Sequence, residues 1–387
     1  GSVDRTYHFS IIGGTGTGKT TLIRHLLAQD MDAGEGVILI DPHGDLADAA
    51  LRQAPKRRRK DIILVDPSDP QCEARLDLLT TPGVDPEMER NFVVNQLIML
   101  LSKQMHPGIP EAFGPVFENY FRNACFLLML AADKDDRDLM KLQDVFADRK
   151  FRTRLVDECP DEGVRQFFDG IAEPARGDAS IESVAPYITS KMTQFSGNPV
   201  TRRFLNPRTG QALDLQAAMD KGKIVIVRLP VGLLGEYDAR LLGALVLMQV
   251  GAAGMGRQRI PEDQRRPVRV YVDEFQHLAT RTAADMLAQS RKYGLSLTLA
   301  NQSLGQLDGG VHGADVARAL LANCGTIAAF RTGINDAAIL VNYLAPDVSI
   351  DELLTLGVGD FVVRRQVNGA MQPAQRLHGL PPPELSE

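Results

Sequence analysis

The stretch Gly13-Gly14-Thr15-Gly16-Thr17-Gly18-Lys19-Thr20-Thr21 constrains the fold of this chain more than any other. It fits the pattern G-x-x-x-x-G-K-[ST], with Gly13, Gly18, Lys19 and Thr20 at the fixed positions. An apolar run, Phe9–Ile12, precedes it and reads as a strand, and Leu22–Leu27 follows with helical spacing. Small residues at a strand-to-helix turn leave backbone N–H groups free to wrap a polyphosphate, and the helix N-terminus favours the anion. Lys19 is then placed to reach the β- and γ-phosphates, and the Thr20 hydroxyl to bind Mg²⁺. The stretch predicts a nucleoside triphosphate site.

The pattern downstream repeats strand and helix. Val37–Ile40 reads as a second buried strand running into Asp41-Pro42-His43-Gly44-Asp45, and Asp61–Val65 as a third. The basic run Lys56–Lys60 between them reads either as solvated surface or as a nucleic-acid contact. Such alternation implies a mostly parallel sheet covered by helices on both faces. After Pro82-Gly83 the character changes. From Asp85 to about Phe204 the periodicity is helical, with candidate helices at Met88–Met105, Phe113–Leu130, Leu139–Phe151, Val164–Ile171 and Val184–Phe195. The expected organisation is an α/β nucleotide-binding domain over 1–84 and 205–387, interrupted by an inserted all-α domain over 85–204. Phe92, Leu97, Phe117, Phe121 and Leu127 are expected in the core of the insertion.

Strands resume at Lys223–Val227, Val268–Val272, Leu295–Ala300 and Thr326–Phe330, with Gly359–Arg364 as a last edge strand. A loop is expected at Leu229–Tyr237. Helices are expected at Leu241–Ala252, Ala283–Tyr293, Val316–Ala322 and Asp336–Tyr343, and a proline-rich tail at Leu380–Glu387.

The second decisive signal is Arg269-Val270-Tyr271-Val272-Asp273-Glu274. An apolar strand ending in two acids, downstream of a phosphate loop, is the Walker B pattern. Asp273 would hold Mg²⁺ through water, and Glu274 would orient or deprotonate the attacking water. Hydrolysis also needs positive charge at the transferring phosphate, which a neighbouring subunit can supply. Arg291 and Arg331 are the candidates. Gln302 ends the strand after Walker B, where an amide can sense the γ-phosphate. In a parallel sheet it shares the carboxyl edge with Asp41 and His43, where ligands bind; His43 reads as a turn residue.

Composition bounds the partners. The 387 residues carry a net charge of −6, so bulk charge does not announce a nucleic-acid binder, although a motor can confine positive charge to a channel. The four cysteines, Cys72, Cys125, Cys159 and Cys324, form no C-x-x-C pair, which fits a reducing compartment and argues against zinc. No apolar stretch of membrane-spanning length is evident; Leu241–Val250 is apolar but short. The Gly1-Ser2 start reads as an expression scar.

Gly13–Thr21, Asp41-Pro42-His43-Gly44-Asp45-Leu46, Val272-Asp273-Glu274-Phe275-Gln276 and Ser290-Arg291-Lys292-Tyr293-Gly294-Leu295 with Ala300-Asn301-Gln302 together resemble the HerA–FtsK superfamily of ring ATPases. Within it the chain most resembles type IV secretion coupling proteins, the TraG/TraD-like conjugative DNA-transfer ATPases. The resemblance implies a RecA-like P-loop NTPase fold with ATP and Mg²⁺ as ligands. The sites lie between subunits of a homohexamer, with DNA in the central channel. By motif, Gly13, Gly14, Thr15, Gly16, Thr17, Gly18, Lys19, Thr20 and Thr21 form Walker A, and Asp273 and Glu274 form Walker B. Arg291 matches the arginine finger and Gln302 the γ-phosphate glutamine, so Lys19, Glu274, Arg291 and Gln302 are the catalytic set.

The resemblance further implies that the all-α domain meets a relaxase or secreted effector, with secretion-system ATPases or inner-membrane components as other partners. Coupling proteins usually carry amino-terminal transmembrane helices. The expectation is therefore a cytoplasmic domain whose natural protein is anchored at the bacterial inner membrane by a region absent here, and which is monomeric if that region drives assembly. The function expected is an ATP-driven DNA motor of the coupling type. Its rivals are an ATPase energising pilus assembly or protein export, a HerA-like DNA-processing translocase, and a nucleotide-controlled docking scaffold.

Overall fold

The computed structural model describes residues 4–80, 86–105, 114–134, 136–278, 281–307 and 313–383. Gly1-Ser2, Pro82-Gly83, Asp85, Phe113 and the end of the tail, 384–387, lie outside the described residues. The chain divides into two compact units, one of Gly1–Ser68 with Asp214–Glu387 and one of Asp69–Leu213.

Among the described residues twelve strands follow in chain order: β1 (His8–Ile12), β2 (Gly36–Asp41), β3 (Ile62–Val65), β4 (Ala74–Arg75), β5 (Gln211–Ala212), β6 (Ile224–Arg228), β7 (Val268–Val272), β8 (Leu295–Asn301), β9 (Cys324–Ala329), β10 (Asp360–Val367), β11 (Ala370–Met371) and β12 (Gln375–His378). The first unit holds one sheet in the order β11-β10-β9-β1-β8-β7-β2-β6-β3, with β12 also on β10. Pairing is parallel from β3 to β9. It turns antiparallel only at β10 and its two companions. The fold is thus a P-loop NTPase α/β fold with a mostly parallel sheet flanked by helices, as the motifs predict.

The buried strands read as continuous apolar runs because both faces of a parallel sheet are covered. One cluster packs Val37, Leu39, Ile224, Ile226 and Tyr271, alternate residues of three strands, against α1 (Lys19–Asp32) and α2 (Asp45–Gln53) through Ile23, Leu27, Leu46 and Ala50. The helix Glu236–Gly256 sits deeper than expected. Gly243 and Gly254 let it approach closely, since a Cβ there would lie 2.7 Å from Leu278 Cδ2 and 2.6 Å from Leu295 Cδ1.

This helix corrects two expectations. It begins at Glu236, inside the expected loop, because its charged first turn is exposed and hides the apolar periodicity. Glu236–Arg259 is also long and apolar enough to cross a membrane, contrary to the reading that no stretch has that length; 72% of its apolar window is buried inside the fold. The edge strand too is longer than expected. Asn368 and Gly369 both take positive φ, 50° and 81°, forming the hairpin turn that joins β10 to β11.

In the basic run, Arg58 is buried and its guanidinium donates to the carbonyls of Met31 and Gly222 and to Asp61. It clamps loops, while Lys56, Arg57, Arg59 and Lys60 are exposed.

The second unit is helical, with its longest helices at Pro86–Met105, Pro115–Ala131 and Ile181–Ser196. Phe117 stacks on Phe121 at 5.6 Å and Tyr120 meets Phe167 edge-on at 5.1 Å, with Leu97 and Leu127 buried and Phe92 half-buried. The expected helix Leu139–Phe151 is broken, because the Asp148 carboxylate accepts from the amides of Lys150 and Phe151 and so starts a new helix, Arg149–Glu158. The unit reaches beyond 85–204 at both ends. β4 pairs with β5 in parallel, Ala74 opposite Gln211, and the Leu76 amide donates to the Phe204 carbonyl, which ties both connecting segments to the unit.

Candidate functional site

The phosphate loop leaves β1 and enters α1. Gly13 lies so close to the chain that a Cβ there would be 2.5 Å from Phe330 Cβ. Its amide donates to Asn301 O at 3.2 Å, and that of Gly14 to Arg331 O at 2.9 Å. Gly18 adopts φ +116°, and a Cβ on it would meet Phe330 Cε1 at 3.2 Å and Gly359 Cα at 3.3 Å. The Gly359 amide holds the loop from above, donating to Thr17 O at 2.9 Å. Thr17 Oγ1 donates to Gly14 O at 2.8 Å. Among the described residues the amides of Thr15, Gly16, Thr17 and Gly18 make no hydrogen bond. Four open donors at the N-terminus of a helix of 14 residues make an anion cradle.

Lys19 is buried, and its Nζ donates to Gly13 O at 2.6 Å and Gly14 O at 3.0 Å. Burial lowers its pKa, against the pull of Glu274 and Asp273. Thr20 is exposed and Thr21 half-buried at the start of α1.

The sheet places the acids beside this loop. β2 and β7 are neighbours, with Ile40 opposite Val272, so Asp41 and Asp273 end adjacent strands. The Asp41 carboxylate is fully buried and accepts from the amides of His43 and Ala47, fixing the turn into α2. Burial, with Asp41 and Glu274 close by, pushes the Asp273 carboxyl up to about 7. Glu274 follows in the left-handed region, φ 48° and ψ 46°. That conformation costs on the order of 1 kcal/mol for a residue with a Cβ, and strain of this kind collects at functional sites. Gln276 Nε2 donates to Glu274 Oε2 and holds it there. Three acids against one lysine leave negative charge that a cation would offset. No group of three potential ligand side chains converges among the described residues. The buried Asp273 carboxyl, whose neighbours Asp41 and Glu274 add negative charge, fits Mg²⁺, which keeps several waters and takes one or two protein ligands plus phosphate oxygens.

β8 runs between β1 and β7 and delivers Asn301 and Gln302 to the same edge. A cleft of about 580 Å³ is lined there by Gly14, Thr15, Thr17, Gln302, Arg331 and Asp336; Lys19, Asp273 and Glu274 lie outside its lining. Asp336 is buried and accepts from the Leu304 amide at 3.0 Å and from Thr332 Oγ1 at 3.3 Å, tying the loop of Gln302 to that of Arg331.

Arg291 stands apart. It lies in the turn Ser290–Tyr293 before β8, at the amino edge of the sheet. The seven residues of β8, at about 3.3 Å each, separate it from Gln302 by roughly 20 Å. It lines a second cleft, of about 480 Å³, with Thr6, Glu262, Arg265, Arg269 and Lys292.

The structure therefore brings the phosphate loop, Asp273, Glu274 and Gln302 to one edge and leaves Arg291 at the other. Sequence reasoning left Asp41 out of the site, although its place at a strand end was visible. It missed Asn301, which is fully buried with neither side-chain polar atom hydrogen-bonded. Its only signal was its place next to Gln302.

Residues 4–103 match the family model of the central domain of the helicase HerA, and 267–342 match that of the TraM recognition site of TraD and TraG. No curated protein sequence matches the chain. The fold is similar to that of the bacterial conjugative coupling protein TrwBdeltaN70 in its unbound form, with TM-score 0.69 and 18% identity over 100% of this chain and 86% of that one. TrwB bound to the ATP analogue ADPNP matches with TM-score 0.69 and 17% identity, over 100% and 87% of the two chains. TrwB has also been solved with ADP and Mg²⁺. VirB4 of Thermoanaerobacter pseudethanolicus matches with TM-score 0.63 and 15% identity, over 96% and 88%. The resemblance to the HerA–FtsK superfamily, and within it to coupling proteins, is thus matched by two family models and by a coupling-protein fold along the whole chain.

Proposed function

We propose that this chain is an ATP-hydrolysing ring motor of the coupling-protein type, moving DNA or a nucleoprotein in a conjugation or type IV secretion system. The observation that carries this reading is the convergence at one sheet edge of an open amide cradle, a buried lysine and two strand-ending acids. In this reading the amides of Thr15 to Gly18 and Lys19 take the ATP phosphates. Thr20 and Asp273 hold Mg²⁺, which screens the phosphate charge. Glu274 receives the proton of the attacking water, and Gln302 contacts the γ-phosphate.

Arg291 serves the site of the next subunit, because its own chain keeps it on the order of 20 Å away. That division of labour needs a neighbouring subunit, and the resemblance to coupling proteins makes the assembly a homohexameric ring in this reading. The inserted helical unit, Asp69–Leu213, reads the cargo, a relaxase or effector. The natural protein works on the cytoplasmic side of the bacterial inner membrane, with secretion-system ATPases and membrane components as neighbours.

The fold is similar to that of VirB4 as well as TrwB and so does not separate the motor from a second reading, an ATPase that energises pilus assembly or protein export without pumping DNA. Steady-state ATP hydrolysis with single-stranded, double-stranded and no DNA separates the two. The motor predicts stimulation by DNA that is lost in Arg291→Ala, whose turnover should fall about 10³-fold. Turnover indifferent to DNA in assembled rings would favour the export ATPase.

A further inference from the structure

Two arginines pin the backbone around Arg291. Arg257, fully buried, donates to Tyr293 O at 2.9 Å, and Arg265 donates to Lys292 O. Ser290 is buried and its hydroxyl donates to Met286 O. The turn is rigid, yet the Arg291 side chain that it presents is exposed and forms no ion pair among the described residues. Its guanidinium meets an aromatic ring: the guanidinium carbon stands 3.9 Å from the centre of the Tyr7 ring. That is stacking distance for a planar guanidinium on a π face.

Tyr7 is itself fixed. Its hydroxyl accepts from Gln366 Nε2 at 3.3 Å. Behind it lies Gly325, where a Cβ would fall 2.7 Å from Tyr7 Cβ. The ring is thus backed by β9, braced by β10 and faced by Arg291. Tyr7 also directly precedes β1, whose other end carries the phosphate loop.

We propose that Tyr7 is a positioning residue, whose ring holds the Arg291 guanidinium in the orientation in which a subunit presents it to its neighbour's phosphates. This rests on the reading of Arg291 as a residue acting across a subunit boundary. A free arginine side chain spreads over many rotamers, and only a few of them direct its donors at a phosphate. A stacked guanidinium keeps its N–H edge exposed while its face is covered, so the stack removes rotamers without consuming donors. The ring needs its π face for this and not its hydroxyl.

The test is kcat and KM for ATP in DNA-stimulated rings of Tyr7→Ala, Tyr7→Leu, Tyr7→Phe, Arg291→Ala and the double variant Tyr7→Ala/Arg291→Ala. Tyr7→Ala and Tyr7→Leu should each lower kcat about fivefold with KM unchanged. Tyr7→Leu fills most of the volume without a π face, so it reports on stacking if the smaller side chain unsettles the fold. Tyr7→Phe should stay within about twofold of the parent. The double variant should be no slower than Arg291→Ala alone. If Arg291→Ala lowers kcat but the Tyr7 effect persists in its background, or Tyr7→Phe is as slow as Tyr7→Leu, the proposal is overturned and the arginine's role stands. If Arg291→Ala leaves kcat unchanged, the reading of Arg291 falls and the proposal with it.

Discussion

The two edges of the central sheet differ in charge and in the material that makes them. The carboxyl edge is built of backbone donors and acids, with Asp41, Asp273 and Glu274 around a single buried lysine. The amino edge is built of cations, with Arg265, Arg269, Arg291 and Lys292 around one cleft. The carboxyl edge adds one exposed cation, Arg331, in the cleft beside the phosphate loop; the amino edge has more cations and no amide cradle. A parallel sheet puts the two edges at opposite ends of the same strands, so on the reading proposed above they meet only between two copies.

Breaking the carboxyl edge at Lys19 should have the largest effect. Lys19→Ala should lose ATP binding and lower turnover by about 10³-fold, because a buried phosphate would face three acids unopposed. Mixing it with Arg291→Ala sharpens the comparison. Rings holding both variants contain interfaces with an intact Lys19 from one copy and an intact Arg291 from the next. Activity should reappear on mixing, measured after subunit exchange has been verified. Mixed rings as inactive as their parents would place both residues in a single-copy site and end the two-edge picture.

Glu274→Gln should lower turnover about 10²-fold and keep ATP binding, read by equilibrium titration with a fluorescent nucleotide, since only acceptance of the water's proton is removed. Normal turnover in this variant would move the base elsewhere on the edge.

The smallest effect is one of stability and pH. The Asp273 carboxyl sits at about 7 in the folded protein against 3.8 unperturbed. Between those values the folded chain binds a proton that the unfolded chain has lost. Metal-free stability therefore falls as pH rises from about 4 to about 7 and is level above it. Asp273→Asn should remove this slope and raise the melting temperature in EDTA at pH 8 by a few degrees. With Mg²⁺ and ATP the order should invert, the parent gaining stability that the variant does not. Calorimetry that shows no gain in EDTA would mean that the carboxylate is paired rather than strained by its neighbours.

Much of the carboxyl edge was legible because its chemistry is written at strand ends. Glycines, Lys19, Asp273, Glu274 and Gln302 each follow an apolar run, and one topology rule brings such ends together. Asp41 was visible on the same ground, but its role as a charged neighbour of Asp273 depends on β2 lying beside β7, an order that runs do not encode. The amino edge was legible only as one arginine. Tyr7 and Arg291 are far apart in the chain, and their stacking requires the register of β1 against β9 and of β1 against β8. The limits of the helical unit were missed because β4 and β5 are two-residue strands, too short to leave a periodic trace. The long helix was cut short for the opposite reason, a charged first turn on an otherwise buried rod.

The position of β1 in the sheet governs how the protein comes into being. It precedes every other strand of this sheet in the chain and is among the last of them to be paired, since Ser10 lies against Leu299 on one side and Ile327 on the other. The clasps on the phosphate loop from distant parts of the chain, the carbonyls of Asn301 and Arg331 and the amide of Gly359, are synthesised later still than the whole of Asp69–Leu213. The helical unit is therefore fully made while the catalytic sheet still lacks its centre, and such long-range parallel pairing is slow and exposes apolar strands as it waits. Nucleotide cannot template this assembly from the start. It can only lock a sheet already closed, so newborn chains depend on shielding, and ATP should protect the mature protein far better than it rescues one that is refolding.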